Sequence, residues 1–221
     1  MPTIRYIAYL TCTSQQSLRI AMLTWLLCCA PAVFAQSSSI IKKTPTIVNN
    51  TLLRGDVGVF GAPRANGKSH VGVDIVANQL SSDKSIYLVR AVRDGIVAYA
   101  KFNGENAEEG YGYAVVLDHG DGTYTLYAHL ATLASAGVVK VSDSVTAGQA
   151  IGYMADPANN EMSSGNVLGP SVKKWDKIQL HFEEFKAPSG RTSTTDISQK
   201  IKGGATILDP TSDLTQNGYT Q

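Results

Sequence analysis

Four histidines, His70, His119, His129 and His181, are the side chains best placed to change charge near neutral pH, and their scarcity makes their positions informative. The first stands in His70-Val71-Gly72-Val73-Asp74-Ile75. Period-two alternation puts His70, Gly72 and Asp74 on one face and Val71, Val73 and Ile75 on the other. In a straight strand, residues four apart lie about 13 Å from each other, too far to share a ligand. His70 and Asp74 can therefore act together only across a local bend, which Gly72 at the midpoint permits. Taken alone, the hexapeptide is read first as an ordinary half-buried strand whose polar face carries a histidine and an aspartate.

Ile178-Gln179-Leu180-His181-Phe182-Glu183 alternates in the same way and sets Gln179, His181 and Glu183 on one face. Tyr124-Thr125-Leu126-Tyr127-Ala128-His129-Leu130 follows the Asp121-Gly122 turn and ends in a third histidine, which suits either a core position or a proton-transfer role beside a site. A lone histidine among apolar neighbours is more often a hydrogen-bonded core residue than a ligand. The combination changes that reading. Imidazole nitrogens and a carboxylate suit zinc at about 2.0–2.2 Å, and catalytic zinc takes three protein ligands with one position left open.

The elements that must position these side chains are short strands: Ile86 to Val92, Gly95 to Phe102, Tyr111 to Asp118, Thr123 to Leu130, Val138 to Val141, Ile151 to Met154 and Ile178 to Phe185. Most are rich in β-branched or aromatic residues. They are punctuated by Asp94-Gly95, Asn103-Gly104, Asp121-Gly122 and Ala147-Gly148, dipeptides suited to tight turns. No segment makes a convincing amphipathic helix of three turns. The expected fold is all-β, a mainly antiparallel sheet or sandwich with long loops. Residues 156–177 are longer than a structural connection needs, hence a functional or disordered loop, and 187–204 are similar. The tail beyond Pro210 is polar and expected to fray.

Residues 1–35 read as a secretory signal: Arg5 and Arg19 without an acidic residue, an apolar run from Ile20 to Ala30, and Val33-Phe34-Ala35 before Gln36. The apolar run is about half of the roughly 20 residues that span a bilayer, so an uncleaved anchor is the weaker alternative. The positive segment is long for a leader; a start at Met22 would discard both arginines, so the start is expected between Met1 and Arg19. All three cysteines, Cys12, Cys28 and Cys29, lie in the leader, leaving the mature chain without a disulfide or thiolate site. Leu27 before Cys28 disfavours a lipid-attachment site. Residues 36–50 read as a linker, 51–211 as one domain and 212–221 as a polar tail. Of 19 basic residues the leader takes two, leaving 17 against 18 acidic, a net charge of −1. Such a balance offers no electrostatic footprint for nucleic acid or an anionic membrane surface.

Together the three histidine stretches resemble the lysostaphin/LytM-type zinc endopeptidases that cut peptide cross-links of bacterial cell wall. Gly67-Lys68-Ser69-His70-Val71-Gly72-Val73-Asp74 is similar to that family's first metal motif, Tyr127-Ala128-His129-Leu130 to its middle histidine motif and Leu180-His181-Phe182-Glu183 to its last. Flanking segments agree: Val92-Arg93-Asp94-Gly95-Ile96-Val97, Leu117-Asp118-His119-Gly120-Asp121-Gly122, Ala147-Gly148-Gln149-Ala150-Ile151-Gly152, and Asp209-Pro210. Order and spacing match from about Gly55 to Pro210, which is specific where each motif alone is not.

The resemblance implies a Zn2+ held by His70, Asp74 and His181, with His129 acting beside it and His119 structural. It further implies a secreted or periplasmic endopeptidase of peptidoglycan, with wall peptide as substrate and no membrane insertion after signal cleavage, and it allows an envelope protein partner. The chain departs from the pattern at Gln179, where the family has the first histidine of a His-x-His pair that serves as the second catalytic imidazole. Glutamine can donate an amide hydrogen bond to a developing oxyanion but cannot take a proton from water. The long 156–177 loop is a second departure and could carry a group that stands in for the missing imidazole. The alternative function is a non-catalytic or weakly active LytM-like domain that binds wall peptide or activates an amidase. A lipoyl- or biotinyl-type carrier shares the hairpin look of Val89 to Ala100, but Arg93-Asp94-Gly95 stands where a carrier needs its lysine.

Overall fold

The computed structural model describes residues 41–47, 49, 51–64, 67–78, 80–103, 111–131, 139–156, 177–193, 195–197 and 201–220. The expected leader and most of the 156–177 loop lie outside the described residues.

An antiparallel sheet runs in the order β1 (Thr51–Leu53), β2 (Val73–Ala77), β9 (Gln179–Lys186), β6 (Thr123–Leu130), β5 (Gly112–Asp118), β4 (Gly95–Asn103) and β7 (Ser144–Val145). A short β10 (Thr206–Leu208) continues along β9 where β2 ends. A separate two-stranded sheet pairs β3 (Leu88–Arg90) with β8 (Ala150–Tyr153). The expected all-β, antiparallel class is the observed one.

Alternation sorts the central strands between two cores. Val115 and Leu117 of β5, Tyr127 and Leu130 of β6, and Leu180 and Phe182 of β9 pack on one face with Val89 and Ile151 of the small sheet. Ala114, Val116, Leu126, Ala128 and Phe185 point to the other face, where Ile197 and Ile201 cover them. Both isoleucines are fully buried, each worth about 1.5–3 kcal/mol of apolar transfer. The 187–204 segment, expected as an irregular polar loop, thus roofs a second core with its two isoleucines.

Three local expectations are corrected. Ile86 to Val92 is strand only from Leu88 to Arg90, because Asp83 accepts from the Ser85 amide at 2.9 Å and winds Lys84–Tyr87 into a 3-10 turn. Around Val139 to Val141 the chain turns instead of pairing: Asp143 accepts from the Lys140 amide at 2.7 Å, its own amide bonds the Lys140 carbonyl, and pairing with β4 waits until Ser144. The C-terminal segment packs where fraying was expected. Thr211–Gln216 form helix α1 with Leu214 fully buried, and the Tyr219 hydroxyl lies 2.7 Å from Thr46 Oγ1. Thr46 and Ile41, within the expected linker, are themselves buried.

Candidate metal centre

Strands β2 and β9 pair so that Asp74 stands directly opposite His181. Both side chains leave the sheet on the face opposite the Val73, Ile75, Leu180 and Phe182 core, so one cross-strand pair supplies two of the expected ligands. His70 lies before β2, which begins only at Val73. The expected bend falls at Gly72. A Cβ there would sit 2.4 Å from the Phe182 carbonyl oxygen and 2.8 Å from Glu183 Cγ, so only glycine lets the chain pass this close to β9. Beyond the bend, the His70 amide donates to Ala62 O at 2.8 Å and its carbonyl accepts from the Gly61 amide.

Three donor atoms converge. His70 Nε2 lies 2.9 Å from His181 Nδ1 and 3.4 Å from Asp74 Oδ1, and His181 Nδ1 lies 3.2 Å from the same oxygen. The other nitrogen of each ring is committed: His70 Nδ1–H donates to Val59 O at 2.9 Å, and His181 Nε2–H donates to Glu183 Oε1 at 2.9 Å. Each ring therefore turns its second nitrogen toward the Asp74 carboxylate, as a lone pair whenever the ring is neutral. Three acceptors facing one point call for a cation, and donors about 2.0–2.2 Å from a tetrahedral zinc stand roughly 3.3–3.6 Å apart. The residues present fit that ion. This is the one group of three metal-binding side chains among the described residues.

The surroundings stiffen the arrangement. Glu183, fully buried, also meets Lys202 Nζ through Oε2, and Lys202 donates to the Tyr111 hydroxyl at 2.9 Å. Arg64 Nη2 lies 3.7 Å from the other Asp74 oxygen. Burial works to raise the Asp74 pKa, but hydrogen bonds from His181 and His70 outweigh it and hold the carboxyl far below its usual range. Burial works to lower that of His181, and the hydrogen bonds to Asp74 and Glu183 reverse the effect, lifting it to about 9.

His129 reaches the same face by a defect in the sheet. Val115 pairs with Tyr127 and Tyr113 with Leu130, so β6 carries one residue more than β5. Strict alternation would send His129 into the first core beside Tyr127. The bulge, with His129 at φ +62°, turns it out and gives its place to Leu130. Its ring centroid lies 5.6 Å from that of His181. Nδ1–H donates to the Tyr111 carbonyl at 3.2 Å, leaving Nε2 as the acceptor nitrogen. Burial first, then the charge on His181, pushes its pKa down to about 3, which keeps the ring neutral.

The order of these residues in the chain is matched by a family description: residues 68–186 match the model of peptidase family M23. The chain belongs to peptidase family M23. The lysostaphin/LytM resemblance of the motifs agrees with this membership. The DD-carboxypeptidase/endopeptidase Mpg of Neisseria meningitidis serogroup B is 32% identical over 114 residues, 52% of this chain. An identical match is found in Neisseria gonorrhoeae. The chain spans only 19% of the length of these relatives. Similar solved structures include CbpA from L. salivarius REN (21% identity, 75% of this chain and 89% of that one, TM-score 0.45) and a zinc-containing peptidase from Vibrio cholerae (21%, 65% and 36%, TM-score 0.40).

Gln179 occupies the position where the motif resemblance implies a second imidazole. Gln179 opens β9 opposite Val76, two residues from His181 and on the same face. It is 4% exposed, and its Oε1 accepts from Arg54 Nη1 at 3.2 Å. A group from the 157–176 segment standing in for an imidazole would lie outside the described residues. His119 is apart from the centre: Nδ1 donates to Asp94 O at 2.8 Å and Nε2 pairs with Thr125 Oγ1 at 3.0 Å. Sequence reasoning passed over Glu183, although period two had placed it on the His181 face. Lys202, Tyr111, Arg54 and Arg64 carried no signal in spacing, because each arrives from a different element.

Proposed function

We propose that this M23 peptidase is a zinc-dependent endopeptidase exported to the bacterial envelope, where it hydrolyses stem or cross-link peptides of peptidoglycan. The observation that carries the proposal is the convergence of His70 Nε2, Asp74 Oδ1 and His181 Nδ1 on one point, where a proton or a metal ion must stand between them. When bound there, zinc supplies Lewis acidity toward a peptide carbonyl and acidifies water.

The chain's own residues do the rest. Glu183, held by Lys202, fixes the His181 tautomer so that Nδ1 is the coordinating nitrogen, and Val59 O does the same for His70 Nε2. Neutral His129 receives a proton at Nε2, with Tyr111 O anchoring the opposite nitrogen through the transfer. The Gln179 amide donates to the oxygen on which negative charge develops.

Zinc analysis of the purified mature chain, followed by digestion of purified cell walls from several bacteria, tests the proposal. One equivalent of zinc and release of new peptide amino groups are expected. Mass spectrometry of the exported protein should find Gln36 at the N-terminus, and an intact leader would remove the periplasmic assignment. A second reading is favoured by Gln179 itself: a weakly active or non-catalytic domain that binds wall peptide or activates an amidase. Zinc binding without hydrolysis would select it.

A further inference from the structure

Gln179 is oriented by its hydrogen bond to Arg54. A glutamine amide has an acceptor oxygen and two N–H donors. The oxygen accepts from Arg54 Nη1 at 3.2 Å, which leaves the NH2 end for another acceptor. Which end faces which way is decided by chemistry: a guanidinium has donors only, so whichever atom turns toward Arg54 must be the oxygen. The NH2 group is then the end turned away from Arg54, on a residue that period two places on the same face of β9 as His181.

Arg54 is itself held in register with that face. It follows β1 directly, and its amide donates to the Asp74 carbonyl at 2.8 Å. The arginine backbone thus reports the position of one metal-binding residue while its side chain sets the orientation of Gln179. An isolated glutamine would exchange its two ends by a half-turn about its last bond. One beside a fixed guanidinium does not.

We infer that Arg54 is a positioning residue which locks the Gln179 amide with its NH2 toward the metal centre, making the Arg54–Gln179 pair a fixed hydrogen-bond donor where M23 relatives of the motif use an imidazole. The catalytic consequence rests on the peptidase reading above; the orientation of the amide does not. The pair supplies donation to a peptide oxygen without any change of protonation, and it leaves proton transfer to His129 alone.

The test uses the zinc-loaded mature chain and three variants, Arg54→Met, Arg54→Lys and Gln179→Leu, together with the Arg54→Met/Gln179→Leu double variant. In 15N-labelled protein the Gln179 NH2 pair, identified by its disappearance in Gln179→Leu, should shift and exchange faster with solvent in Arg54→Met and return toward wild type in Arg54→Lys. Zinc content should be unchanged in all. On wall peptide, Arg54→Met should lower kcat by about ten-fold or more with little change in KM, since removal of an oxyanion donor typically costs about 10²–10³ and a freely turning amide retains part of it. In the Gln179→Leu background the same arginine change should cost nothing further. An NH2 pair indifferent to Arg54→Met overturns the inference, as does an equal loss of kcat in both backgrounds. A wild type that cleaves no wall at all, with the NH2 pair still responding to Arg54, refutes the peptidase reading and leaves the positioning role standing.

Discussion

His70 Nε2 and His181 Nδ1 lie 2.9 Å apart although each ring has already given its N–H to another partner, Val59 O in one case and Glu183 in the other. Two lone pairs at that distance repel unless a proton or a metal ion stands between them. Asp74, opposite His181 in the strand register, supplies the third donor and the negative charge. The whole β2–β9 pairing is arranged around a positive charge.

Metal binding should follow from this geometry. Asp74→Ala or His181→Ala should reduce bound zinc from one equivalent to well below, and His119→Ala should leave it unchanged, because His119 spends both nitrogens on Asp94 and Thr125. Chelation of the wild type should lower its melting temperature, as loss of any ligand that binds only the folded state must. Retention of zinc by both ligand variants would move the site elsewhere.

The bulge at His129 separates catalysis from stability. A residue at φ +62° is strained unless it is glycine, by about 1 kcal/mol. His129→Gly should therefore melt at or above the temperature of His129→Ala, while both lose wall-peptide hydrolysis entirely. If His129→Ala keeps its activity, proton transfer runs through another group.

Replacing the unusual glutamine tests the site from the other side. Gln179→His should leave zinc content unchanged and raise hydrolysis by about ten-fold or more, a modest fraction of the usual contribution of a general acid or base. A wild type that already cleaves briskly, with no gain from the histidine, would mean that the amide is a sufficient replacement or that the 157–176 segment supplies the missing group.

What was legible in the sequence was whatever obeys a short period. Alternation placed Asp74 and His181 on polar faces and set β4, β5, β6 and β9 of the main sheet nearly to the residue, as with Thr123–Leu130. The bend at Gly72 was legible too, since a metal cannot be shared across 13 Å of straight strand. The bulge at His129 was not: alternation alone puts that residue on the face of Tyr127, and the extra residue shows only against the β5 register. Lys202 and Arg54 were invisible for a related reason. Each meets the site through tertiary contacts of a segment with no period of its own, and the 187–204 segment hid two core isoleucines among polar neighbours.

Glu184 carries the last prediction. It follows Glu183 on β9 but points to the opposite face, buried to 3% exposure across from Thr125, and its Oε1 has no hydrogen-bond partner among the described residues. Burial first, then the charges of Asp213 and Asp209, raises its pKa from 4.5 to about 8. Between those values the folded chain keeps a proton that the unfolded chain has released, so stability is full below pH 4.5 and declines as pH rises toward 8. Other groups titrate in the same range, His181 among them, so the informative quantity is the difference between wild type and Glu184→Gln. Glutamine holds nearly the same shape without the charge. The two proteins should unfold at similar denaturant concentrations near pH 5, and the variant should gain on the wild type up to about pH 8 by on the order of 3 kcal/mol, at about 1.4 kcal/mol per pKa unit and allowing for incomplete desolvation. Above that the gap should stay constant. A gap that is flat from pH 5 to 9 would mean that Glu184 is ionised in the fold throughout, with a partner that the described residues do not include.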